Sequence, residues 1–353
     1  MPIVKKHSLL VFSFTFLLLG QFACKKNNTQ SCDDKQSLHA QSKFSIGVAI
    51  QLGQYENNLD YARLADQQFN SFTPENAFKA ENLHPAENVF EWTEADRLVS
   101  IALRNNKTMH GHTLIWHQQN PDWIKSFQGN SAAWEALFKK HIQTIVTHFK
   151  GKVKAWDVVN EAFNEDGTLR NSIWKEKIGP TYIEKAFRYA QAADPQASLF
   201  YNDYNLESNP LKRKQVLTYL NQLRNRGVKI SGIGLQMHVS LQFPNPSEIA
   251  ASFKEVADQD FKVHVSELDI SVNLLGNNNN PNAGVFEAQA DYLGKIVTLY
   301  KQIPQQYQYG MTFWGVSDND SWISAYFNRQ DYPLLFDGNY KPKPAYCKLM
   351  ELL

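Results

Sequence analysis

The chain has 353 residues, enough for two ordinary domains or for one large α/β barrel. Basic and acidic residues number 36 and 35, so the formal net charge is only +1. This balance gives no electrostatic field for nucleic acid or for an anionic membrane surface, so neither is expected as a partner. Hydrophobic residues make up 43% of the chain, which supplies enough apolar surface for a large core.

The first 24 residues have the pattern of an export signal and are excluded from the fold. Lys5 and Lys6 precede an apolar run from 9 to 19, which is too short to span a bilayer. The run ends at Ala23-Cys24, which resembles the processing site of a bacterial lipoprotein. We therefore expect export to the periplasm or cell surface, with a lipid on Cys24 as the membrane attachment and plain secretion as the alternative.

The stretch 25–41 is polar and rich in Asn, Gln and Ser, and it is predicted to be a flexible spacer. After Cys24 the chain has two further cysteines, Cys32 and Cys347. An exported protein can form a disulfide, but Cys32 lies in the predicted spacer. The expected state is therefore unpaired, although the sequence leaves the pairing open.

From residue 42 onward, short apolar runs alternate with longer amphipathic segments. The predicted strands are 44–50, 69–73, 108–112, 153–160, 198–203, 230–236, 261–267 and 309–315. The predicted helices include 134–149, 182–193, 211–225, 246–258 and 286–302. Eight strands, each followed by a helix or connection and without a linker between them, predict an α/β fold. The prediction is a single (β/α)8 TIM barrel over residues 42–353.

Polar or aromatic side chains follow seven of the eight predicted strands. They are Glu75 and Asn76, His110 and His112, Asn160 and Glu161, Asn202 to Asn205, Gln236 and His238, Glu267 and Asp269, and Trp314. Polar residues after one strand alone would be explained by an ordinary helix cap or loop. Since active sites of this fold gather at the C-terminal ends of several strands, the repeated pattern indicates one site at that face of the barrel.

Glu161 and Glu267 each lie one step past an apolar run, where a lone carboxylate would be costly to bury. The fourth and seventh strands that carry them are expected to face each other across the barrel mouth. Two facing carboxylates are the catalytic groups of a glycosidase. A separation of about 5–5.5 Å gives retention and about 6.5–9.5 Å gives inversion, and the sequence does not fix this distance.

Eight segments carry a resemblance to a known family. They are 69–79, 111–117, 155–170, 201–207, 232–239, 264–270, 313–322 and 333–346. Together they resemble the endo-β-1,4-xylanases of glycoside hydrolase family 10, in the same order and at every strand end. The segment 155–170, AWDVVNEAFNEDGTLR, resembles the acid/base segment of that family.

The resemblance implies an endo-acting, retaining hydrolase of xylan that uses neither a cofactor nor a metal. Glu161 is implied as the general acid/base and Glu267 as the nucleophile of a double displacement. Asn160 is implied to bond the sugar 2-hydroxyl. His238 would keep Glu267 ionised, and Asp269 would orient His238.

The resemblance also implies a set of substrate-binding residues. They are Glu75, Asn76, Lys79, His112, Trp116, Tyr204, Gln236, Trp314 and Trp322. Trp314 and Trp322 would form a cage over the reacting sugar that leaves little room for a C6 hydroxymethyl, which favours xylose over glucose. Ile323 stands where the family commonly has Arg and Ala80 where it commonly has Trp, so specificity on the glycone side is expected to differ.

Three alternatives remain open on the sequence alone. The same mechanism on β-1,4-glucan is the first, and a non-catalytic barrel that binds xylan is the second. The third is a metal-dependent hydrolase using side chains from His110, His112, His238, His264 and Asp269. We expect xylan or xylo-oligosaccharides as the partner and a monomer as the oligomeric state.

Overall fold

Parallel strands close into a barrel in the computed structural model, which describes residues 32–353. The strands are β1 (Ser45–Ile50), β2 (Ser71–Pro74), β3 (Thr108–Gly111), β4 (Ala155–Asn160), β5 (Ser198–Asp203), β6 (Gly232–Leu235), β7 (His238–Ser240), β8 (Lys262–Ser271) and β9 (Gln308–Phe313). Strands β1 to β6 pair in chain order, β6 pairs with β8, β8 with β9, and β9 with β1. The predicted TIM barrel is confirmed.

The short strand β7 was not predicted, and it changes where β8 ends. It pairs with the last residues of β8, with His238 opposite Asp269. This added ladder extends β8 to Ser271, so Glu267 lies inside the strand rather than one step past it. The parallel pairing still places Glu267 at the same mouth as the ends of β4, β5 and β6.

Helices alternate with the strands and cover the outside of the barrel. They are α1 (Leu38–Gln41), α2 (Leu52–Asn57), α3 (Leu59–Gln68), α4 (Ala80–Leu83), α5 (Thr93–Arg104), α6 (Asp122–Lys125), α7 (Ser131–His148), α8 (Ile173–Ile178), α9 (Tyr182–Ala193), α10 (Pro210–Asn225), α11 (Pro246–Ala257), α12 (Ala283–Lys301), α13 (Trp322–Phe327) and α14 (Pro344–Leu352). Four long helices begin at an Asn whose side chain accepts a backbone N–H of the first turn, at Asn130, Asn209, Asn245 and Asn282. Each such cap satisfies an otherwise unpaired donor and contributes about 1 kcal/mol.

The apolar faces of strands and helices meet in one large core. Phe78, Phe149 and Trp156 form a stacked aromatic group between the barrel wall and the surrounding helices. Burial of each such side chain contributes about 1.5–3 kcal/mol. Gly111 is required beside them, because a Cβ there would lie 2.2 Å from the Trp156 ring.

The prediction for the two cysteines is wrong, because Cys32 and Cys347 form a disulfide with their Cα atoms 5.6 Å apart. The part of the predicted spacer that the structure describes is also folded. Leu38 begins α1 and is fully buried, and its N–H donates to Gln68. Tyr346 of α14 donates to the carbonyl of Gln36, so the segment packs between α3 and the C-terminal helix.

The predicted export signal, Cys24 and the first part of the spacer lie outside the described residues. Within residues 32–353, no helix is both long enough and apolar enough to cross a membrane.

The disulfide predicts a measurable loss of stability on reduction. Since the bridge spans 315 residues of sequence, it restricts the unfolded chain strongly. Reduction is expected to lower the free energy of unfolding by about 2–5 kcal/mol, measured by urea denaturation with and without reductant. The Cys32→Ser/Cys347→Ser double variant should match the reduced protein and show no response to reductant. An unchanged midpoint for both would contradict a stabilising role.

Candidate active site

Glu161 follows the last residue of β4 and turns sharply into the mouth of the barrel. Its φ angle is +56°, a left-handed conformation that costs a non-glycine residue about 1–2 kcal/mol. The backbone N–H of Glu161 donates to the carbonyl of Asn202 on β5 at 2.9 Å. The neighbouring strand therefore holds this strained backbone in place.

The Glu161 carboxylate accepts hydrogen bonds from neutral side chains. Trp116 Nε1 donates to Oε2 at 2.9 Å, and Gln236 Nε2 donates to Oε1 at 3.1 Å. The Nδ1 atom of His117 lies 3.8 Å from Oε2. Burial, aided by two nearby cations, lowers the pKa of His117 to about 4, so this imidazole is neutral near pH 7.

Glu267 is held by a different kind of partner. Its carboxylate is buried and accepts from Asn202 Nδ2 at 2.7 Å and from His238 Nε2 at 3.1 Å. Burial alone would raise the pKa of Glu267. The bond from His238, the nearby imidazoles and the bond from Asn202 outweigh burial, so the pKa lies below its ordinary value.

His238 forms a charged bridge between two carboxylates. Its Nδ1 atom lies 2.8 Å from Asp269 Oδ2, which also accepts from Trp322 Nε1 at 2.8 Å. Burial acts to lower the pKa of His238, but Asp269 and Glu267 raise it well above the ordinary value. Both ring nitrogens lie within hydrogen-bond distance of a carboxylate, an arrangement that favours the cationic imidazole.

An amide network joins the two glutamates. The Asn160 amide lies 3.0 Å from Asn202 Nδ2 and 3.2 Å from Gln236 Nε2, and these two side chains bond Glu267 and Glu161 respectively. Asn202 is one of the polar residues predicted at the end of the fifth strand, but no role was predicted for it. Strand alternation could have identified this role, because Asn202 lies two residues after Phe200 and therefore on the same inward face of β5.

A missed residue lies beneath the site. Asp157, on β4, binds His110 Nε2 at 3.0 Å through one oxygen and His112 Nδ1 at 2.9 Å through the other. Although burial opposes its ionisation, the two imidazoles hold the pKa of Asp157 well below its usual range. A carboxylate inside an apolar strand requires such partners, so the position of Asp157 in the sequence could have indicated a buried polar group.

Three of the predicted substrate-binding residues, Glu75, Asn76 and Lys79, form one connected group after β2. Gln51 Nε2 donates to Glu75 at 2.7 Å, and Asn76 Nδ2 lies 3.4 Å from the same carboxylate. Lys79 Nζ donates to Asn76 at 2.9 Å and lies 5.2 Å from the Trp116 ring centroid. Burial raises the pKa of Glu75 and lowers that of Lys79.

The predicted aromatic residues lie around the two glutamates. The Trp314 ring is 5.3 Å from the His112 ring, and the Trp322 ring is 4.9 Å from that of His238. Tyr204 lies further out, where its hydroxyl accepts from Arg170 at 2.7 Å. The Arg170 Nε atom in turn donates to the backbone carbonyl of Glu161, so Tyr204 belongs to the acid/base side of the site.

The two departures from the family pattern lie close to the site but point inward. Ile323 is 3% exposed in α13, and Ala80 is 8% exposed at the start of α4. Ile323 follows Trp322 at the start of α13, and Ala80 follows Lys79 at the start of α4, so each packs directly beside a predicted substrate-binding residue.

The four histidines of the metal alternative bind other partners. His110 and His112 share Asp157, and both nitrogens of His238 bond carboxylates. His264 Nε2 lies 2.9 Å from the hydroxyl of Thr312. Among residues 32–353, no three His, Cys, Asp or Glu side chains converge as a set of metal ligands.

A closed parallel barrel with two buried glutamates at its C-terminal mouth defines a glycoside hydrolase of the (β/α)8 class. The sequence model of glycosyl hydrolase family 10 matches residues 35–352. The chain therefore belongs to that family.

Individual relatives agree with this assignment. The β-1,4-xylanase of Dictyoglomus thermophilum is 41% identical over 321 residues, covering 87% of this chain and 88% of that protein. The exoglucanase XynX of Acetivibrio thermocellus is also 41% identical, but the match covers 87% of this chain and only 28% of that longer protein. Xylanase 10B of Thermotoga petrophila, solved in complex with xylobiose, has a TM-score of 0.85 and 35% identity. That match covers 90% of this chain and 96% of the solved one.

Replacing His238 is predicted to change the pH dependence of catalysis. A nucleophilic Glu267 must be ionised, so activity falls as the pH drops through its pKa. The His238→Ala variant removes a donor that lowers this pKa and leaves burial unopposed, so the acidic limb of kcat/KM should move to higher pH. The overall kcat/KM should also fall by about 10- to 100-fold.

The matched control is His148→Ala, which removes an imidazole paired with Asp96 at a partly exposed position on α7. Its profile should follow the wild type. An acidic limb that stays in place in His238→Ala would contradict the charge bridge.

Proposed function

We propose that this protein is an endo-β-1,4-xylanase that cleaves internal bonds of xylan with retention of configuration. The different environments of the two glutamates support Glu267 as the nucleophile and Glu161 as the general acid/base. Glu267 accepts a bond from the cationic His238 and is held ionised, as a nucleophile requires. The Glu161 carboxylate accepts from neutral side chains, Trp116, Gln236 and Asn160, and no cationic side chain among the described residues donates to that carboxylate.

In the first step, Glu267 attacks the anomeric carbon while protonated Glu161 donates its proton to the glycosidic oxygen. The bond to the leaving sugar breaks and a glycosyl ester forms on Glu267. Asn160 lies between the two acids, where a bond to the 2-hydroxyl stabilises the oxocarbenium-like transition state.

In the second step, water attacks the same carbon from the side that the leaving group vacated. Glu161, now ionised, takes the proton of that water, and the ester to Glu267 breaks. Two inversions give net retention. His238 lies 3.1 Å from the Glu267 carboxylate and stabilises it when it is released.

Xylose is supported as the sugar by the aromatic residues and by the relatives. Trp314 and Trp322 flank the His238 ring and form the cage over the reacting sugar. Their aromatic faces suit the C–H surface of a pyranose that lacks a hydroxymethyl group. The relative from Dictyoglomus is named a xylanase, and the Thermotoga petrophila structure holds xylobiose.

The substrate is tested by comparing the release of reducing sugar from xylan and from soluble cellulose. Proton NMR of the first product reports its anomeric configuration in the same experiment. We expect rapid release of short xylo-oligosaccharides as the β-anomer. A first product in the α-configuration would show inversion and overturn the mechanism.

Activity on β-1,4-glucan is the second candidate, because one relative is named an exoglucanase. Faster hydrolysis of soluble cellulose than of xylan would favour it. The roles of Glu161 and Glu267 would be unchanged, since only the fit of the cage to the sugar differs.

The two glutamates are tested by single replacements. Glu267→Ala should lower kcat on xylan by about 10⁴-fold or more, because the ester cannot form. Glu161→Ala should be equally slow on xylan but retain the first step on aryl glycosides with good leaving groups, which need no proton. The control is Glu351→Ala, an exposed acid paired with Lys348 on α14, which should behave as wild type. Full activity in either active-site variant would falsify the assignment.

Export and lipid attachment at Cys24 also belong to this proposal. The Cys32–Cys347 disulfide supports an oxidising compartment outside the cytoplasm. Labelling with a radioactive fatty acid tests the anchor, since the label should be present in the wild type and lost in Cys24→Ala.

We propose a monomer as the active state, because both glutamates and their described partners come from one chain. Sedimentation at assay concentration should give the mass of a single chain.

A further inference from the structure

Two large aromatic side chains are exposed beside the proposed cage. Tyr326 and Phe327, at the end of α13, are 70% and 50% exposed. Each of these residues leaves half or more of its surface open to solvent, which packing of the core does not require. They lie on the same short helix as Trp322, which begins it.

The rings of α13 form a continuous series that starts at the catalytic centre. The His238 and Trp322 centroids are 4.9 Å apart, and Trp322 lies 5.3 Å from Tyr326 and 5.6 Å from Phe327. Tyr326 and Phe327 are themselves 4.9 Å apart. The series therefore leads from the imidazole bonded to the nucleophile out to the protein surface.

The outer rings are held in position by a buried anchor. The Arg329 guanidinium lies 4.6 Å from the Phe327 ring centroid and donates to Asp331 at 3.1 Å. Asp331 is 2% exposed and also accepts the backbone N–H groups of Val272 and Asn273, which follow β8. The segment after α13 is thus fixed to the strand that carries the nucleophile.

We propose that Tyr326 and Phe327 form a sugar-stacking platform that continues the Trp322 cage. The occupant is a further sugar ring of the same substrate, carried as a side group on the sugar in the cage or next to it in the backbone. Exposed aromatic faces pair with the C–H faces of sugars, and the ring series is continuous with the reacting centre. This inference rests on the proposed function, since it assigns a further contact to the same substrate.

The platform touches a sugar that does not react, so it stabilises the bound substrate and the transition state equally. Its loss should raise KM and weaken binding without a matching fall in kcat. A disturbance of Trp322 would instead lower kcat on every substrate. This difference separates a platform from a structural role.

The experiment measures kcat and KM for the Tyr326→Ala/Phe327→Ala double variant. Linear xylo-oligosaccharides of three to six sugars form one arm, and arabinose- or glucuronate-decorated oligosaccharides of equal backbone length form the other. We expect KM to rise by about three- to tenfold on at least one arm. A rise confined to long linear substrates assigns a backbone sugar, and a rise confined to decorated ones assigns a side group.

Two matched variants complete the design. Tyr326→Phe/Phe327→Tyr keeps both rings and should restore the wild-type KM. Leu59→Ala removes an 89% exposed apolar side chain at the start of α3 and should leave all constants unchanged. The proposal is overturned if KM is unchanged on every substrate. It is also overturned if kcat falls in the same proportion on all of them, or if the double variant changes only self-association.

Binding separates this proposal from the proposed function. Affinities of the same oligosaccharides for the Glu267→Ala protein, with and without the platform substitutions, do not depend on turnover. If the wild type fails to hydrolyse xylan but the platform substitutions still weaken binding by three- to tenfold, the platform stands and the proposed reaction fails. If xylan is hydrolysed and binding is unaffected, the platform alone fails.

Discussion

The rest of the site depends on the contacts of the His238 imidazole with the carboxylates of Glu267 and Asp269. A partly buried cation and two buried carboxylates are each costly alone, and together they offset part of one another's desolvation. Asp269 also accepts from Trp322, so one carboxylate fixes both the imidazole and an aromatic ring of the cage. Asp269 therefore links the electrostatic environment of Glu267 to the position of the Trp322 ring.

The closed barrel makes this arrangement possible. Parallel pairing around the ring brings the ends of β4, β5, β6 and β8 to one mouth. Between the strands that carry the glutamates, Asn202 on β5 bonds Glu267, and Gln236, which follows β6, bonds Glu161. The left-handed backbone of Glu161 is affordable because the carbonyl of Asn202 receives its N–H group. Local strain at the acid is thus offset by the sheet around it.

Much of this site could be predicted from the sequence. Strand alternation and the location of active sites at the C-terminal ends of barrel strands place these residues without knowledge of contacts between distant segments. Asp157 and the role of Asn202 were missed, although each is a polar residue on an inward strand position, where burial demands partners. The end of β8 was misplaced because it depends on pairing with β7, which has only three residues. The pairing of Cys32 with Cys347 was beyond local reasoning, since it depends on how the first described residues pack against the last helix.

That disulfide turns the barrel into a covalent ring. All eight barrel strands lie between Cys32 and Cys347, and the bridge joins the two ends of that span. A protease that cuts one exposed loop, such as the Asn-rich stretch 277–280 after β8, opens the ring without releasing either piece. The nicked halves remain linked and can stay packed on each other. The bridge thereby keeps β9, Trp314 and Trp322 covalently attached to the part of the chain that carries Glu161 and Glu267 after such a cut.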